Sequence, residues 1–362
     1  MAKLGTIAFG GPAVHVAMLR DEVVRRRGWL DDAEFLDLFG AVSVLPGPSS
    51  TQLAIVISRR RAGWPGLLVG GACFIAPAMA IVLVLAWAYV RYGTTPAGGG
   101  VLDGIAPVVV AIVAVALWDL GRRALKHQWF VIFGALAIAA YAAGINVLLP
   151  LVVAGVLAAV VANRHRLARM NAFVPVLPLL PAVASVRVRP SALDVLAEFL
   201  KLGTVVFGSG YALLAFLRAD LVDQLGWLTE QQVLDAVAAG QVTPGPVFTT
   251  ATFVGYLVGG VPLALVATLG IFAPSFVLVA ALEPFVARIR ASAWLAPALD
   301  GVTVAALGLM VAVTVDLGRR AITDAVTLAL LGVALAVLLR WKPNAFWLVT
   351  GGAGVGLARG LL

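Results

Sequence analysis

The stretch KLGTIAFGG, Lys3–Gly11, returns as KLGTVVFGS at Lys201–Ser209. Outward from it, at a constant shift of 198, Arg20 falls on Arg218 and Gly28-Trp29-Leu30 on Gly226-Trp227-Leu228. Pro46-Gly47-Pro48 falls on Pro244-Gly245-Pro246, and 21 of the 49 positions from Lys3 to Thr51 are identical. One residue is then lost. At a shift of 197, Ala76-Pro77 meets Ala273-Pro274, Asp103-Gly104 meets Asp300-Gly301, and DLGRRA at 119–124 recurs whole at 316–321. A shared apolar composition would match leucines and valines. These matches are glycines, prolines, tryptophans and arginines, so the chain is two copies of one unit.

That unit belongs in a membrane. The 362 residues are 62% hydrophobic and 12% charged, with a mean hydropathy of +1.02, against about 25% charged in a soluble domain. Each copy reads as six apolar stretches, roughly 4–19, 35–58, 64–92, 101–119, 129–144 and 146–162, then 194–217, 233–257, 262–286, 298–317, 321–339 and 344–362. In lipid every backbone amide and carbonyl must be paired within the chain, so these stretches are expected to be helices. The reading is an all-α polytopic protein of two repeats, 1–162 and 194–362, with a basic, proline-containing linker at 163–193. The net charge of +8 does not point to nucleic acid. Its basic residues stand in short clusters, Arg59-Arg60-Arg61, Arg122-Arg123 and Arg164-His165-Arg166, as cytoplasmic loops do.

The total of Lys and Arg on each side does not separate parallel from inverted copies, but a smaller signal in the loops favours inversion. The loop after the second stretch carries Arg59–Arg61 in the first copy and no charge in the second, whereas the neutral Ile145-Asn146 loop is matched by Arg340 and Lys342. Inversion needs an odd number of crossings, and the first stretch is the one to fold back. Leu4–Leu19 is about sixteen residues long, too short to span about 30 Å, and Gly10-Gly11-Pro12 interrupts it. It is expected to be re-entrant or interfacial, unless upstream codons add the apolar turn that residues 193–200 supply to the second copy.

The breaks carry the chemistry. Pro46-Gly47-Pro48 stops one helix and starts another, and the new helix places its first free amides beside Ser49, Ser50 and Thr51, with Gln52 next. Free amides at the positive end of a helix dipole bind anions, and hydroxyls add donors without adding a charge. Broken helices meeting near the bilayer midplane form the sites of many repeat-built transporters. In the second copy the matching residues are Pro244, Gly245, Pro246, Val247, Phe248, Thr249 and Thr250, so most of the substrate chemistry is expected in the donor-rich first copy. A similar break in the first stretch, Gly10-Gly11-Pro12, has Gly208-Ser209-Gly210 as its counterpart. Beyond these lie His15, replaced by Leu213 in the second copy, and the paired Arg20 and Arg218. A guanidinium fork suits a tetrahedral oxyanion, and Arg20 is expected to matter more than Arg218. The breaks in the first copy are expected to share one cavity.

The stretch FGGPAVHVAMLRDEVVRRRGWLDDAEFLDLFGAVSVLPGPSSTQLA, residues 9–54, resembles the N-terminal signature of the chromate ion transporter family, and the duplication resembles its long, two-domain members. The resemblance spans essentially the whole chain. It implies a multi-pass protein of the plasma membrane that exports chromate, a sulfate-like dianion, and so confers chromate resistance. Sulfate or another anion, taken up or exchanged, is the alternative within transport.

Catalysis is disfavoured by the absence of H-E-x-x-H and G-x-S-x-G, and ATP-driven pumping by the absence of G-x-x-x-x-G-K-[ST]. The single cysteine, Cys73, excludes an internal disulfide and a thiolate metal site of its own. No cofactor and no metal are expected. The partners expected are the oxyanion and the lipid bilayer, with a homodimer left open and nucleic acid excluded.

Overall fold

A computed structural model describes residues 1–8, 12–43, 45–124, 130–145, 148–164, 190–206, 212–282, 292–341, 343 and 345–361. Every regular element among them is helical. In the first copy α1 (Ala2–Ile7) and α2 (Pro12–Arg20, running on as a π-helix over Asp21–Arg26) precede α3 (Asp32–Val42). α4 (Ser49–Tyr92), α5 (Pro96–Ala124), α6 (Phe130–Ala142) and α7 (Leu148–Ala162) follow. In the second copy α8 (Ala192–Val205), α9 (Ala212–Leu217, with a π-helix over Arg218–Gln224) and α10 (Glu230–Val242) lead to a 3₁₀ turn, Val247–Thr249. α11 (Thr250–Leu282), α12 (Leu295–Ala321), α13 (Ala325–Trp341) and α14 (Ala345–Gly360) complete it. Several of these helices are long and apolar enough to cross a membrane, including α5 and α12 at 27 spanning residues each. This is an all-α, multi-pass membrane protein.

The local signals explain the matching boundaries. α3 opens on a capping box made by Asp31 and Glu34, and α10 opens on the same device built from Thr229 and Gln232, which satisfies two otherwise unpaired amides. Different residues at equivalent positions do the same work. The first stretch of each copy stops at an equivalent residue, Ala8 (ψ 84°) and Val206 (ψ 111°), so Leu4–Leu19 is not one continuous helix. Its returning limb ends where it began. The charge of Lys3 reaches Glu22, and Arg27 and Arg61 both stack on Trp29, at 5.0 and 5.7 Å. Beside that turn, the hydrogen bond from Arg27 holds the Glu22 carboxyl below the usual carboxylate range.

α4 is a hairpin rather than one 44-residue rod. Ala62 and Gly63 leave helical geometry, Gly63 with φ 61°, and beyond them the chain doubles back. A methyl placed on Gly70 would collide with the Ser58 side chain, although twelve residues of straight helix would hold the two about 18 Å apart. α11 repeats the fold at Gly259-Gly260, where Thr252 and Thr268 join hydroxyls across the two limbs at 2.7 Å. The inner limb of α4 is wholly enclosed, with Ser50 through Ser58 all buried. The outer limb turns Trp64, Leu68, Val84 and Trp87 outward, as a lipid-facing surface does.

The two hairpins lie tip to tail. Arg59, near the tip of the first, donates to the Val279 and Ala280 carbonyls at the tail of the second, at 3.0 and 2.9 Å. Tyr89, near the tail of the first, packs its ring 5.2 Å from that of Phe253 on the inner limb of the second. α5 runs antiparallel to α14, with Pro96 beside Gly360, Gly100 beside Gly356 and Gly104 beside Gly352. A side chain at any of these glycines would meet the opposing backbone, so the stripe lets two backbones touch.

Candidate functional site

The copies are joined at their breaks by an exchange of hydrogen bonds. The Gly47 amide, in the first Pro-Gly-Pro, donates to the Val206 carbonyl where α8 ends, at 2.7 Å. The Gly245 amide, in the second, donates to the Ala8 carbonyl where α1 ends, at 2.9 Å. Each broken first stretch thus docks on the other copy's broken second stretch, and four helix ends meet in the interior. Both glycines sit at positive φ, 105° and 93°, which glycine adopts at no steric cost.

On the first-copy side the meeting point is polar. α4 starts as a true α-helix, Gln52 N–H already bonding the Pro48 carbonyl at 2.9 Å. Helix geometry therefore leaves the amides of Ser49, Ser50 and Thr51 without an intrahelical partner. The Gln52 amide nitrogen clamps the turn by donating to the Pro46 carbonyl, and it lies 3.5 Å from Ser275 Oγ. Its carbonyl oxygen Oε1 and the Thr51 hydroxyl are buried, and among the described residues they have no hydrogen-bond partner. An unpaired buried polar group costs about 1–3 kcal/mol, and this helix start carries two of them, a hydroxyl that can donate and a carbonyl oxygen that can only accept. His15, 2% exposed, bonds Ser50 Oγ at 3.3 Å and the Ala8 carbonyl at 2.9 Å. It ties the second break of its own copy to the end of α1.

On the second-copy side the same turn is closed on itself. Thr249 N–H folds back to the Pro246 carbonyl at 3.0 Å, so the helix starts as 3₁₀ and leaves fewer amides free. The Thr249 and Thr250 hydroxyls are consumed by the Pro246 and Val247 carbonyls, both at 2.8 Å. Val247 and Phe248 fill the positions of Ser49 and Ser50, and both are buried.

The arginines stand apart from this centre and differ from each other. Arg20 pairs with Asp32 at 2.8 Å with its side chain 41% exposed. Arg218 is 11% exposed and bonds Glu230 at 2.8 Å and Asp316 at 3.3 Å, with Tyr141 stacked at 5.4 Å. It lines a cavity of about 730 Å³ together with Tyr141, Asp223, Asp316 and Arg319. The two arginines are thus held differently, Arg20 by an exposed pair and Arg218 by a part-buried cluster. Gly10, Gly11, Gly208 and Gly210 lie outside the described residues.

A model of the chromate transporter family matches residues 1–162 and 193–357. The chain belongs to the chromate transporter family. It is 33% identical over 351 residues to a protein named probable chromate transport protein in Synechococcus elongatus, covering 94% of this chain and 88% of the relative. It is 32% identical over 360 residues to the chromate transport protein of Cupriavidus metallidurans, covering 98% and 90%. Identity to the chromate transport protein of Pseudomonas aeruginosa is 30% over 362 residues, covering 94% and 86%. No solved structure matches.

Two buried polar residues escaped the reading of the sequence, one of them, Ser275, at the centre. Ser275 follows Pro274 where Ala78 follows Pro77, and the one-atom difference puts a hydroxyl beside Gly47 and Gln52. Gln241 occupies the place of Ser43, and its amide nitrogen is buried and unpartnered among the described residues. For Ser275 the signal was there, because it is a polar exception at a position where the first copy has alanine.

Proposed function

We propose that this chain is a secondary transporter that carries chromate outward across the plasma membrane and so confers chromate resistance. The oxyanion would be held at the start of α4, on the Ser49, Ser50 and Thr51 amides and the Thr51 hydroxyl, with the second copy as the facing wall. The observation that carries this reading is the exchange of hydrogen bonds between Gly47 and Val206 and between Gly245 and Ala8. It brings four helix ends to one buried place, as in transporters whose site lies between repeats.

Residues 1–162 and 194–362 are proposed as inverted repeats joined by 163–193. The tip-to-tail hairpins and the antiparallel α5 and α14 support this, because copies in the same orientation would align equivalent ends. The end of the molecule that holds Arg25–Arg27 and Arg59–Arg61 is the cytoplasmic one by charge. Rocking of one copy against the other about the exchanged bonds would open the site to each side in turn. The direction agrees with electrostatics, since a dianion leaving an inside-negative cell gains roughly 4.6 kcal/mol per 100 mV.

Chromate uptake into inverted membrane vesicles tests the reading. Uptake is expected to rise with an inside-positive vesicle potential and to fall strongly in Thr51→Val. Uptake indifferent to potential argues against a free-running dianion. A Thr51→Val protein that transports like the parent removes the site from α4.

A further inference from the structure

His15 has a defined hydrogen-bond direction. The Ala8 carbonyl can only accept, so His15 Nε2 carries the proton that it donates there at 2.9 Å. In the neutral ring Nδ1 is then a lone pair, and at 3.3 Å from Ser50 Oγ it accepts the Ser50 hydroxyl proton. Ser50 consequently turns an oxygen lone pair, not a proton, toward the start of α4. An arriving oxyanion would meet a repelling acceptor among the three free amides.

The groups around the ring are few. From α1 comes the Ala8 carbonyl and from α4 the Ser50 hydroxyl. From the outer limb of α4 comes the ring of Phe74, edge-on at 6.0 Å. The Gly245 amide shares the Ala8 carbonyl. None of these carries a charge or titrates, so among the described residues no carboxylate stands by to hold a proton on His15.

We infer that His15 takes up a proton at Nδ1 when the oxyanion binds, reversing the Ser50 hydroxyl so that it donates to the anion. This rests on the proposed anion site at Ser49–Thr51. The balance is simple. A proton from water adds to Nδ1, Nε2–H stays on the Ala8 carbonyl, Nδ1–H now donates to Ser50 Oγ, and the freed Ser50 hydroxyl turns to an anion oxygen. Release of the anion returns the proton to water. A dianion beside the ring favours the charged imidazolium, and by linkage the proton favours the anion equally. The pair crosses together, and the charge moved per cycle falls from two to one. The second copy has Leu213 and Phe248 at the matching positions, so the switch belongs to one copy.

The test is isothermal titration of the purified full-length protein with chromate, in buffers of different ionisation enthalpy, at a pH where chromate carries both charges. Wild type is expected to take up about one proton per chromate bound. His15→Gln and Ser50→Ala are expected to bind more weakly and to take up almost none. Thr51→Val is expected to bind roughly 10–100-fold more weakly, losing a donor to a charged group, yet to keep the proton uptake. Absence of proton uptake in wild type overturns the inference and leaves the site standing. Uptake that survives in His15→Gln, or in Ser50→Ala alone, also overturns it, by removing the ring or the relay. Chromate binding unchanged in both Ser50→Ala and Thr51→Val overturns the site itself. The wild-type measurement decides the matter even if a variant misfolds.

Discussion

The two Pro-Gly-Pro turns have the same backbone plan and opposite interiors. Both glycines lie at positive φ and both amides cross to the other copy. Yet the first turn opens an α-helix with three unpaired amides, a free threonine hydroxyl and a glutamine clamp. The second opens a 3₁₀ turn whose hydroxyls are already spent on its own carbonyls. Duplication supplied the hinge twice. Divergence at three side chains, Ser49, Ser50 and Gln52 against Val247, Phe248 and Thr250, left donors at one turn and apolar cover at the other.

The comparison is broken most severely at the glycines. A methyl on Gly245 would lie 2.9 Å from Ala78 Cβ and 3.0 Å from the Gly5 carbonyl, which cannot move aside. On Gly47 it would meet the ends of Gln52 and Ser275, at 2.8 Å each. Gly245→Ala is therefore expected to cost about 2–4 kcal/mol, positive-φ strain adding to overpacking. Gly47→Ala is expected to cost about half as much, because side-chain ends can swing away. Thermal melts in detergent rank them, and equal losses would show that φ alone sets the cost.

Next come the paired threonines. Thr51→Val is expected to weaken chromate binding by roughly 10–100-fold, as loss of a hydrogen bond to a charged group does. Thr249→Val is expected to cost about 1 kcal/mol of stability and to leave chromate affinity near the parent's, since its hydroxyl serves Pro246. Equal effects on affinity would place the anion between the turns rather than on the first.

The arginines sharpen the comparison at the periphery. Arg218→Lys is expected to lose about 1–3 kcal/mol of stability, because an ammonium cannot bridge Glu230 and Asp316 together inside a half-closed cavity. Arg20→Lys is expected to change stability by less than about 0.5 kcal/mol, its pair with Asp32 being exposed. A transport defect confined to Arg20→Lys would restore the ranking read from donor richness. At the first turn itself, Gln52→Ala is expected to weaken chromate transport only a few-fold by loosening the Pro46 turn, about 1 kcal/mol for one hydrogen bond.

Much of this architecture is written locally and is therefore legible. The repeat, the helix break at Pro46–Pro48, the capping residues at Asp31 and Thr229, and the hydroxyl-rich start at Ser49 depend on near neighbours in sequence and on the demands of lipid. Their signals survive without knowing what lies opposite. The hairpin inside α4 is half legible: Gly63 marks the turn, but only the seating of Ser58 against Gly70 shows that the chain doubles back.

What only the tertiary structure decided is which groups are satisfied. Thr51 and Thr249 are the same residue at the same place in the repeat, and sequence treats them alike. One hydroxyl is free and the other bonded because one turn is α and the other 3₁₀. Arg20 and Arg218 likewise differ through partners, since Asp316 reaches Arg218 from a helix almost a hundred residues on. His15 gains its meaning from Ala8 and Ser50, brought to it by two separate breaks. Sequence determines where a chain can bend and which donors it owns. Long-range packing determines which of those donors are left over, because a hydrogen bond is spent or spared only by what stands within about 3 Å of it.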